Sequence, residues 1–389
     1  MSRALFSRNA DLQRLRNEGY FVQIHGGALV MREVPYVDAE RQLRTGALIS
    51  SLTLAGDQTR PPDTHVIFFD GDFPCEADGT PMRQIAHQSV AHSFGNGVTA
   101  KHSFSSKPNG GYTDHHHKMT TYATILSGPA AVLKPGASPR VFRAPEEEED
   151  SVFNYTESAS DRVGIGALTE RFTKERVAII GTGGSGAYVF DFVAKTPVQE
   201  IRLFDSDDFL THNAFRTPGA PSIDELREAP KKVDYLKGIY SKMHRGIVTN
   251  PSIDATNVDL LNGATFAFIC IDAGEAKRLV VEKLEAMGVP FIDVGMGLEL
   301  VEGSLGGILR VTTSTPGNRA EARKRISFAG GGEQDVYSSN IQVADLNALN
   351  AVLAIVKWKK LLGFYRDLEG EHHCTYTTDG NMLLNGDGE

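Results

Sequence analysis

The feature that most constrains the fold is a glycine-rich turn between a buried strand and a helix. It lies in residues 177–209, VAIIGTGGSGAYVFDFVAKTPVQEIRLFDSDDF. Apolar residues predict the first strand, a helical stretch follows the turn, and a second strand ends at an acidic residue. This order is typical of a nucleotide-binding βαβ unit, whose glycines permit a tight turn, close approach to phosphate and close helix packing. The phosphate-binding candidates are Gly181, Gly183, Gly184 and Gly186.

This unit alone fits an NAD-dependent dehydrogenase as well as an ATP-binding enzyme. Asp205, which ends the second strand, is placed to hydrogen-bond ribose hydroxyls in either case. Hydride transfer does not need further cations around the phosphates. Transfer of AMP from ATP to a carboxylate does, because charge builds on phosphate oxygens that cations and a carboxylate-held magnesium ion stabilise. The sequence supplies such groups downstream, at Asn213, Arg216, Lys231, Lys232 and, ending a third strand (TFAFICID), Asp272.

The ordered set of motifs resembles the ThiF/MoeB family, the nucleotide-binding core shared with ubiquitin-activating enzymes. The set is strand-GxGGxG-helix-strand-D, N-x-x-R, a K-V-[DE] helix start and a C-x-D strand end, over about residues 160–365. The resemblance implies an α/β fold with a Rossmann-like, mostly parallel sheet, and it implies ATP and Mg²⁺. It also implies a role for each matched residue: the glycine loop and Asn213, Arg216 and Lys232 on the phosphates, Asp205 on the ribose, and Asp272 on the metal.

The resemblance further implies a homodimer in which one subunit lends an arginine to its partner's site. Arg162 is the first choice for that arginine and Arg171 the second. The C-terminal helix predicted within residues 341–365 carries Leu346, Leu349, Leu353 and Val356 along one face, which we expect to be core or subunit contact.

The sequence departs from the family pattern in three ways. Ala273 stands where the family often has Asn, and the paired CxxC zinc motif is absent. There is no cysteine between Asp272 and Cys374, so the usual position of the thioester nucleophile is vacant. Cys374 follows two histidines and is a candidate for a thioester, with an inert tail thiol as the alternative. Cys270 is expected to be a buried strand residue.

The chain is expected to divide into an N-terminal domain (1–143), an acidic linker (144–161) and the adenylation domain (162–389). The N-terminal domain is predicted to be smaller and α+β or β-rich, with a helix at about 9–18 and strands at YFVQI, ALVMREVPYV, THVIFF and AAVLK. Its histidines are a metal-site hypothesis, against ordinary surface or hydrogen-bonded roles: His87, His92, His102, His115, His116 and His117.

Composition limits the partners. The formal net charge of -9 argues against a general nucleic-acid or membrane-surface binder, because those surfaces are anionic. Three widely spaced cysteines form no disulfide framework, which fits a reducing cytoplasm. No apolar signal core and no long apolar run are present in the sequence.

Together these observations predict an enzyme that adenylates the C-terminal carboxylate of a ubiquitin-like or sulfur-carrier-like protein with release of pyrophosphate. By analogy with bacterial ubiquitin-like systems, the N-terminal domain is expected to recruit that protein or a conjugating enzyme. The alternatives are a small-peptide or modified-tRNA carboxylate as acceptor, a non-catalytic nucleotide-binding scaffold subunit and, less favoured, an NAD-dependent oxidoreductase.

Overall fold

The computed structural model describes two compact units, Met1–Glu170 and Arg171–Glu389. Their architecture confirms the predicted fold class, since a mostly parallel sheet lies in the second unit and a β-rich arrangement in the first. Of the predicted acidic linker, only residues 151–155 are described. The described residues are 2–25, 27–95, 97–143, 151–155, 166–328 and 341–386.

The first unit is built on an antiparallel sheet of order β1-β2-β3-β6-β10-β7, with two separate hairpins, β4–β5 and β8–β9. Its helices are α1 (Ser2–Arg8), α2 (Ala10–Asn17), α3 (His115–Leu133) and α4 (Gly166–Thr169). Its strands are β1 (Val22–His25), β2 (Ala28–Val37), β3 (Leu43–Ser51), β4 (Leu54–Ala55), β5 (Gln58–Thr59), β6 (Val66–Asp70), β7 (Ala86–Gln88), β8 (His92–Gly95), β9 (Val98–Ala100) and β10 (His102–Ser105).

Alternation along β2 gives this sheet two buried faces. Leu29 and Met31 point to the core that α2 and α3 cover, whereas Ala28 and Val30 point to a smaller core beneath β8 and β9. The predicted helix at 9–18 and the predicted strand at 28–37 are therefore both confirmed, as α2 and β2.

The strand predicted at AAVLK (130–134) is wrong, because these residues form the end of α3 and its C-cap. The helix starts at Asp114, whose side chain accepts a hydrogen bond from the His117 amide at 2.7 Å. Met119 and Tyr122 continue its buried face against the sheet. That packing allows the helix to continue through Pro129, although proline disfavours the interior of a helix.

The second unit contains the predicted βαβ unit and the strands that extend its sheet. Its helices are α5 (Gly184–Ala194), α6 (Thr211–Ala214), α7 (Ile223–Glu228), α8 (Lys232–Tyr240), α9 (Glu275–Ala286), α10 (Arg319–Arg325) and α11 (Ala344–Leu361). Its strands are β11 (Arg176–Ile180), β12 (Glu200–Phe204), β13 (Ile247–Asn250), β14 (Phe266–Ile269), β15 (Phe291–Val301), β16 (Ser304–Ser314), β17 (His373–Thr377) and β18 (Met382–Asn385).

The order of this sheet is β13-β12-β11-β14-β15-β16-β17-β18. The strands from β13 to β15 pair in parallel, and β15 then turns back into the antiparallel β16, β17 and β18. Strands β15 and β16 form a long antiparallel hairpin. The chain leaves β11 toward β12 on one side and returns as β14 on the other, which creates a switch point where ligands of open α/β sheets bind.

Both faces of the sheet are covered. Val177 and Ile179 of β11 pack into a core with α5, α8 and α11, while Ala178 and Ile180 pack into a second core with α9. Among the described residues, none of the helices is both long and apolar enough to cross a bilayer.

Helix α11 confirms the predicted C-terminal helix, and of the two roles expected for its leucine face the structure leaves subunit contact as the open one. The leucine stripe is only half-buried. The fully buried face is one that includes Asn347, Asn350, Ala351, Ala354 and Trp358. Small residues and amides are buried because α11 packs closely on α5 beside the glycine turn.

We predict that Trp358→Ala lowers the free energy of unfolding by roughly 3–5 kcal/mol, because a fully buried ring packed on Phe172, Phe266 and Phe268 would leave a cavity. Since Trp358 is the chain's single tryptophan, urea unfolding should be followed by circular dichroism. Trp358→Phe is the matched control and should cost much less. Equal losses in the two variants would contradict this account of the core.

Candidate nucleotide site

A pocket of about 640 Å³ lies at the carboxyl ends of β11, β12 and β14, at the switch point of the sheet. It continues along β15 and β16, which supply part of its lining. The structure therefore brings together residues that are far apart in the sequence. The predicted residues that line it are Gly181, Gly183, Gly184, Asp205, Arg216, Lys232 and Asp272.

Each glycine of the turn is required for a different physical reason. Gly181 has φ +88°, and a Cβ there would lie 2.6 Å from the Cys270 carbonyl oxygen. A Cβ on Gly184 would collide with the Asn347 amide, and one on Gly186 with the Gly181 carbonyl. Gly183 alone faces open space, so its backbone is the part of the turn that a phosphate can approach. Gly186 is outside the lining and acts through packing.

Asp205 is held by the protein itself. One carboxylate oxygen accepts hydrogen bonds from the Thr182 amide at 2.8 Å and from its hydroxyl at 3.0 Å, and the other accepts from the Asp207 amide at 2.9 Å. The carboxylate thus ties the glycine turn to the loop after β12. Asp207, which we did not predict, also lines the pocket and exposes 72% of its side chain.

The neighbouring lysines Lys232 and Lys231 occupy different environments in the structure. Lys232 begins α8, is nearly buried, and places Nζ 2.6 Å from Asp207 Oδ2 and 4.0 Å from Asp205 Oδ1. The hydrogen bond from Lys232 lowers the pKa of Asp207, which keeps that carboxylate ionised. Lys231 instead pairs with Asp208 at 2.7 Å and is half-exposed outside the lining. Of the two lysines, Lys232 is therefore the one that lines the pocket.

Asn213 and Arg216 lie three residues apart, but only Arg216 lines the pocket. Burial lowers the pKa of Arg216, while Asp207 and Asp272 oppose that shift. Asn213 is fully buried, and its Oδ1 accepts a hydrogen bond from the Leu210 amide at 2.8 Å. Among the described residues its amide nitrogen has no partner. Asn213 thus shapes the loop that carries Arg216.

Asp272 lines the pocket just after the end of β14. In the described part of the chain, no three histidine, cysteine or acidic residues converge as a metal site. A site with one protein carboxylate suits Mg²⁺, which is commonly held by one or two carboxylates plus substrate phosphates. It does not suit a metal held by protein alone.

The structure also brings in charged residues that sequence reasoning missed. Lys277 of α9 and Arg310 of β16 line the same pocket, and both pair with the buried carboxylate of Asp293 on β15. No local motif marks them, because the three residues come together only through the pairing of β15 with β16 and the packing of α9. Asn347 of α11, an uncharged residue that sequence reasoning also missed, accepts a hydrogen bond from the Ser185 hydroxyl at 3.0 Å.

Two arginines, Arg162 and Arg171, were proposed to reach the partner's site. Arg162 lies outside the described residues. Arg171 is not among the pocket residues, and it donates hydrogen bonds to the Leu362 and Gly363 carbonyls just after α11. Its guanidinium therefore has a structural use within its own chain.

Of the two candidate cysteines, only Cys374 lies within a strand. Cys270 was expected to be a buried strand residue, but it follows β14 and lines the pocket beside the glycine turn. Burial, and secondarily Asp293, raises the pKa of Cys270 to about 12, so its thiol is protonated at neutral pH. Cys374 lies within β17, paired with Val311 of β16 and packed at the edge of the core rather than in the pocket. The His373 ring contacts the Thr312 hydroxyl at 2.9 Å, and successive strand residues point to opposite faces, so it is turned away from Cys374.

The histidines of residues 87–117 serve hydrogen bonding where they are described. His87 and His102 contact the Ser103 and Ser89 hydroxyls, each at 3.0 Å, and His116 contacts Glu18 at 2.9 Å. With no converging ligands among the described residues, the hydrogen-bonded alternative is favoured over a metal site.

The fold and the pocket define the class of this protein as a nucleotide-binding α/β domain with a cationic switch-point pocket. The chain belongs to the ThiF family, which matches residues 159–357. This confirms the resemblance, supports an adenylyltransferase that uses ATP to adenylate a carboxylate, and disfavours the dehydrogenase alternative. Residues 10–158 match a family described as a domain of unknown function, DUF6791. No curated protein has a significant sequence match to the chain.

Several solved structures are similar to the chain at low identity. PaaA is 18% identical, with 58% of this chain and 76% of that chain covered and a TM-score of 0.43. The microcin C7 biosynthetic enzyme MccB, in complex with N-formylated MccA, is 18% identical, with 56% and 66% covered and a TM-score of 0.44. MccB of E. coli with ATP is 17% identical, with 58% and 70% covered and a TM-score of 0.44.

We predict that Cys270 resists alkylation by iodoacetamide near pH 8 in the folded protein, because its raised pKa leaves almost no thiolate. Mass spectrometry of the tryptic peptides should show slow labelling of Cys270 in buffer and normal labelling in concentrated urea. Equal rates in the two conditions would contradict the environment described for this thiol.

Proposed function

We propose that this protein adenylates the C-terminal carboxylate of a ubiquitin-like or sulfur-carrier-like protein, with release of pyrophosphate. The observation that carries the proposal is the convergence of Gly183, Arg216, Lys232 and Asp272 on one pocket of a ThiF-family domain. A scaffold that only bound nucleotide would not need both cations and the further acid at the reacting end of the pocket.

Each residue has a proposed role in this reaction. The Gly183 backbone and the N-terminus of α5 receive the triphosphate, because free N–H groups and the positive end of the helix dipole point there. Lys232 and Arg216 stabilise the charge that develops on the phosphate oxygens and on the leaving pyrophosphate. Asp272 would hold Mg²⁺, which supplies Lewis-acid stabilisation of the phosphates when bound.

The acceptor carboxylate needs no general base, since a carboxyl group is ionised at neutral pH. One of its oxygens forms a bond to the α-phosphorus while the bond to the bridging oxygen of pyrophosphate breaks. The protein therefore contributes positioning and charge stabilisation. Ribose binding is assigned to the loop that Asp205 orders. The exposed Asp207 carboxylate beside Asp205 is a second group that can accept hydrogen bonds from the ribose hydroxyls.

A macromolecular acceptor is supported by the surface that leads to the pocket. The β15–β16 hairpin exposes apolar side chains along its length, and one of them, Ile308, also lines the pocket. Leu300 and Leu305 form a cross-strand apolar pair on one face of the hairpin, whereas Val301 and Ile308 lie on the other face. The exposed residues are Leu300, Val301, Leu305 and Ile308.

The assembly proposed with this function is a homodimer in which the half-buried leucine face of α11 contributes to the contact. We also propose that residues 1–143 recruit the protein substrate or a conjugating enzyme, and that the enzyme works in the cytoplasm. Removal of residues 1–143 should then weaken capture of the acceptor protein while MgATP binding by the remaining chain is retained.

We predict that the protein binds MgATP and not NAD, and that Lys232→Ala weakens MgATP binding by about tenfold or more, because a charge-assisted contact to phosphate is lost. Asp272→Asn should weaken it in a magnesium-dependent way. Lys231→Ala is the matched control, since the neighbouring lysine pairs with Asp208 outside the pocket. Isothermal titration calorimetry checks all four proteins.

NAD binding that is indifferent to these substitutions would contradict an adenylating site. If MgATP binds as expected, pyrophosphate exchange with candidate acceptors separates the substrate classes. Exchange driven by a short peptide as strongly as by a ubiquitin-like protein would favour the small-peptide alternative.

A further inference from the structure

The wall of the pocket formed by β15 and β16 carries a second group of charges, separate from Lys232 and Arg216. Asp293 is fully buried on β15, with Lys277 Nζ 2.5 Å from its Oδ1 and Arg310 Nη2 3.0 Å from its Oδ2. Lys277 is itself nearly buried, whereas Arg310 keeps 26% of its side chain exposed. Two cationic side chains thus pair with one carboxylate, so Lys277, Arg310 and Asp293 together carry a formal net positive charge.

One of these cations is enough to pair the buried acid. Lys277 lies at ion-pair distance and is enclosed with it, so Asp293 has a close cationic partner apart from Arg310. Arg310 uses one terminal nitrogen on Asp293, and its Nε is buried with no hydrogen-bond partner among the described residues. The guanidinium is therefore anchored at one corner and retains donors that a ligand can use.

The backbone of β15 is adapted to this arginine. Gly295 pairs with Arg310 in the antiparallel register, and a Cβ at Gly295 would lie 2.6 Å from Arg310 Nη2 and 3.1 Å from its central carbon. The guanidinium consequently lies across the strand at a position that has no side chain. Any other residue at Gly295 would displace it from Asp293.

Strand register fixes where this guanidinium stands relative to the reacting groups. Ile269 of β14 pairs in parallel with Asp293, so Gly295 is level with Ile271, the residue before Asp272. Because β16 is two strands from β14, the backbone of Arg310 is roughly 10 Å from the strand end that carries Asp272. The glycine turn lies on the opposite side of Asp272, after β11. Arg310 thus faces the reaction centre from the side away from the phosphate loop.

We propose that Arg310, anchored by Asp293 over Gly295, binds the carboxylate of the acceptor and orients it toward the α-phosphate of ATP. This inference rests on the proposed adenylation reaction and assigns a residue to its acceptor side. The carboxylate oxygen that does not attack phosphorus becomes the carbonyl oxygen of the acyl-adenylate, and Arg310 donates a hydrogen bond to it before and after the step. An arginine suits this position because it neutralises the acceptor's charge against the triphosphate and cannot protonate the nucleophile.

The test compares two ligands of the full-length protein by isothermal titration calorimetry. The first is 5′-O-[N-(acetylglycyl)sulfamoyl]adenosine, a stable mimic of an acyl-adenylate, and the second is AMP, which lacks the acyl group. The wild-type protein should bind the mimic more tightly than AMP. Arg310→Ala should weaken binding of the mimic by at least about tenfold and of AMP by less than about threefold.

Gly295→Ala is a second variant that retains every charge and acts only by displacing the guanidinium, so it should reproduce the selective loss. Arg323→Ala is the matched control, because that arginine pairs with Glu285 outside the pocket lining. Circular dichroism and thermal melting establish that each variant is folded.

The outcomes separate the two levels of the proposal. Equal losses for the mimic and AMP, or no loss for either, would overturn the role of Arg310 while leaving the adenylation site intact. A wild-type protein that binds the mimic no better than AMP would overturn it as well. Failure of the wild-type protein to bind MgATP, AMP and the mimic would instead contradict the proposed function.

Discussion

The close approach of α5 to the end of β11 is the contact on which the rest of the site depends. Gly186 lets the helix pack against the Gly181 carbonyl, and Gly184 leaves room for the Asn347 amide of α11. With larger residues, the helix would move away from the sheet and its free N–H groups would no longer face the pocket. The hydrogen bonds from Thr182 to Asp205 then fix the turn to the next strand, which places the loop bearing Asp207 and, further along, Arg216.

The charges around this contact divide the pocket into two halves. Lys232 and Arg216 lie on the β12 side of the pocket, and the glycine turn separates them from the end of β14. Lys277 and Arg310 lie on the opposite side, next to β15 and β16. Asp272 lies between the two halves, at the end of β14. Two cationic regions on either side of one acid match a reaction that joins two anions, the triphosphate and a carboxylate, because each must be held against their mutual repulsion.

The sequence predicted the part of this structure that is local. Apolar runs identified β11, β12, β14 and β15, and the spacing of glycines and charged residues identified the residues that surround the nucleotide side. One prediction failed where packing overrides local pattern, since residues 130–134 continue a helix because α3 has a long buried face. In α11, hydrogen bonds to Ser185 and Gly295 bury Asn347 and Asn350, and the leucine face is left half-buried.

The acceptor side could not be read from one sequence, because its residues are far apart in the chain. Lys277, Asp293 and Arg310 belong to a helix and two strands, and each alone is an ordinary charged residue. Only the register of β15 against β16 shows that the guanidinium of Arg310 occupies the space that a side chain at Gly295 would fill. Likewise, Asp205 met the pattern for a ribose ligand, but the structure commits its oxygens to Thr182 and Asp207 and leaves Asp207 exposed.

The most direct test of this account is a crystal structure of the protein with Mg²⁺ and a non-hydrolysable ATP analogue. The account predicts a triphosphate against the Gly183 backbone, with Lys232 and Arg216 within hydrogen-bond distance of its oxygens and the α-phosphate turned toward Asp272. A triphosphate bound away from the glycine turn, or an α-phosphate facing away from Asp272 and the β15–β16 wall, would contradict it.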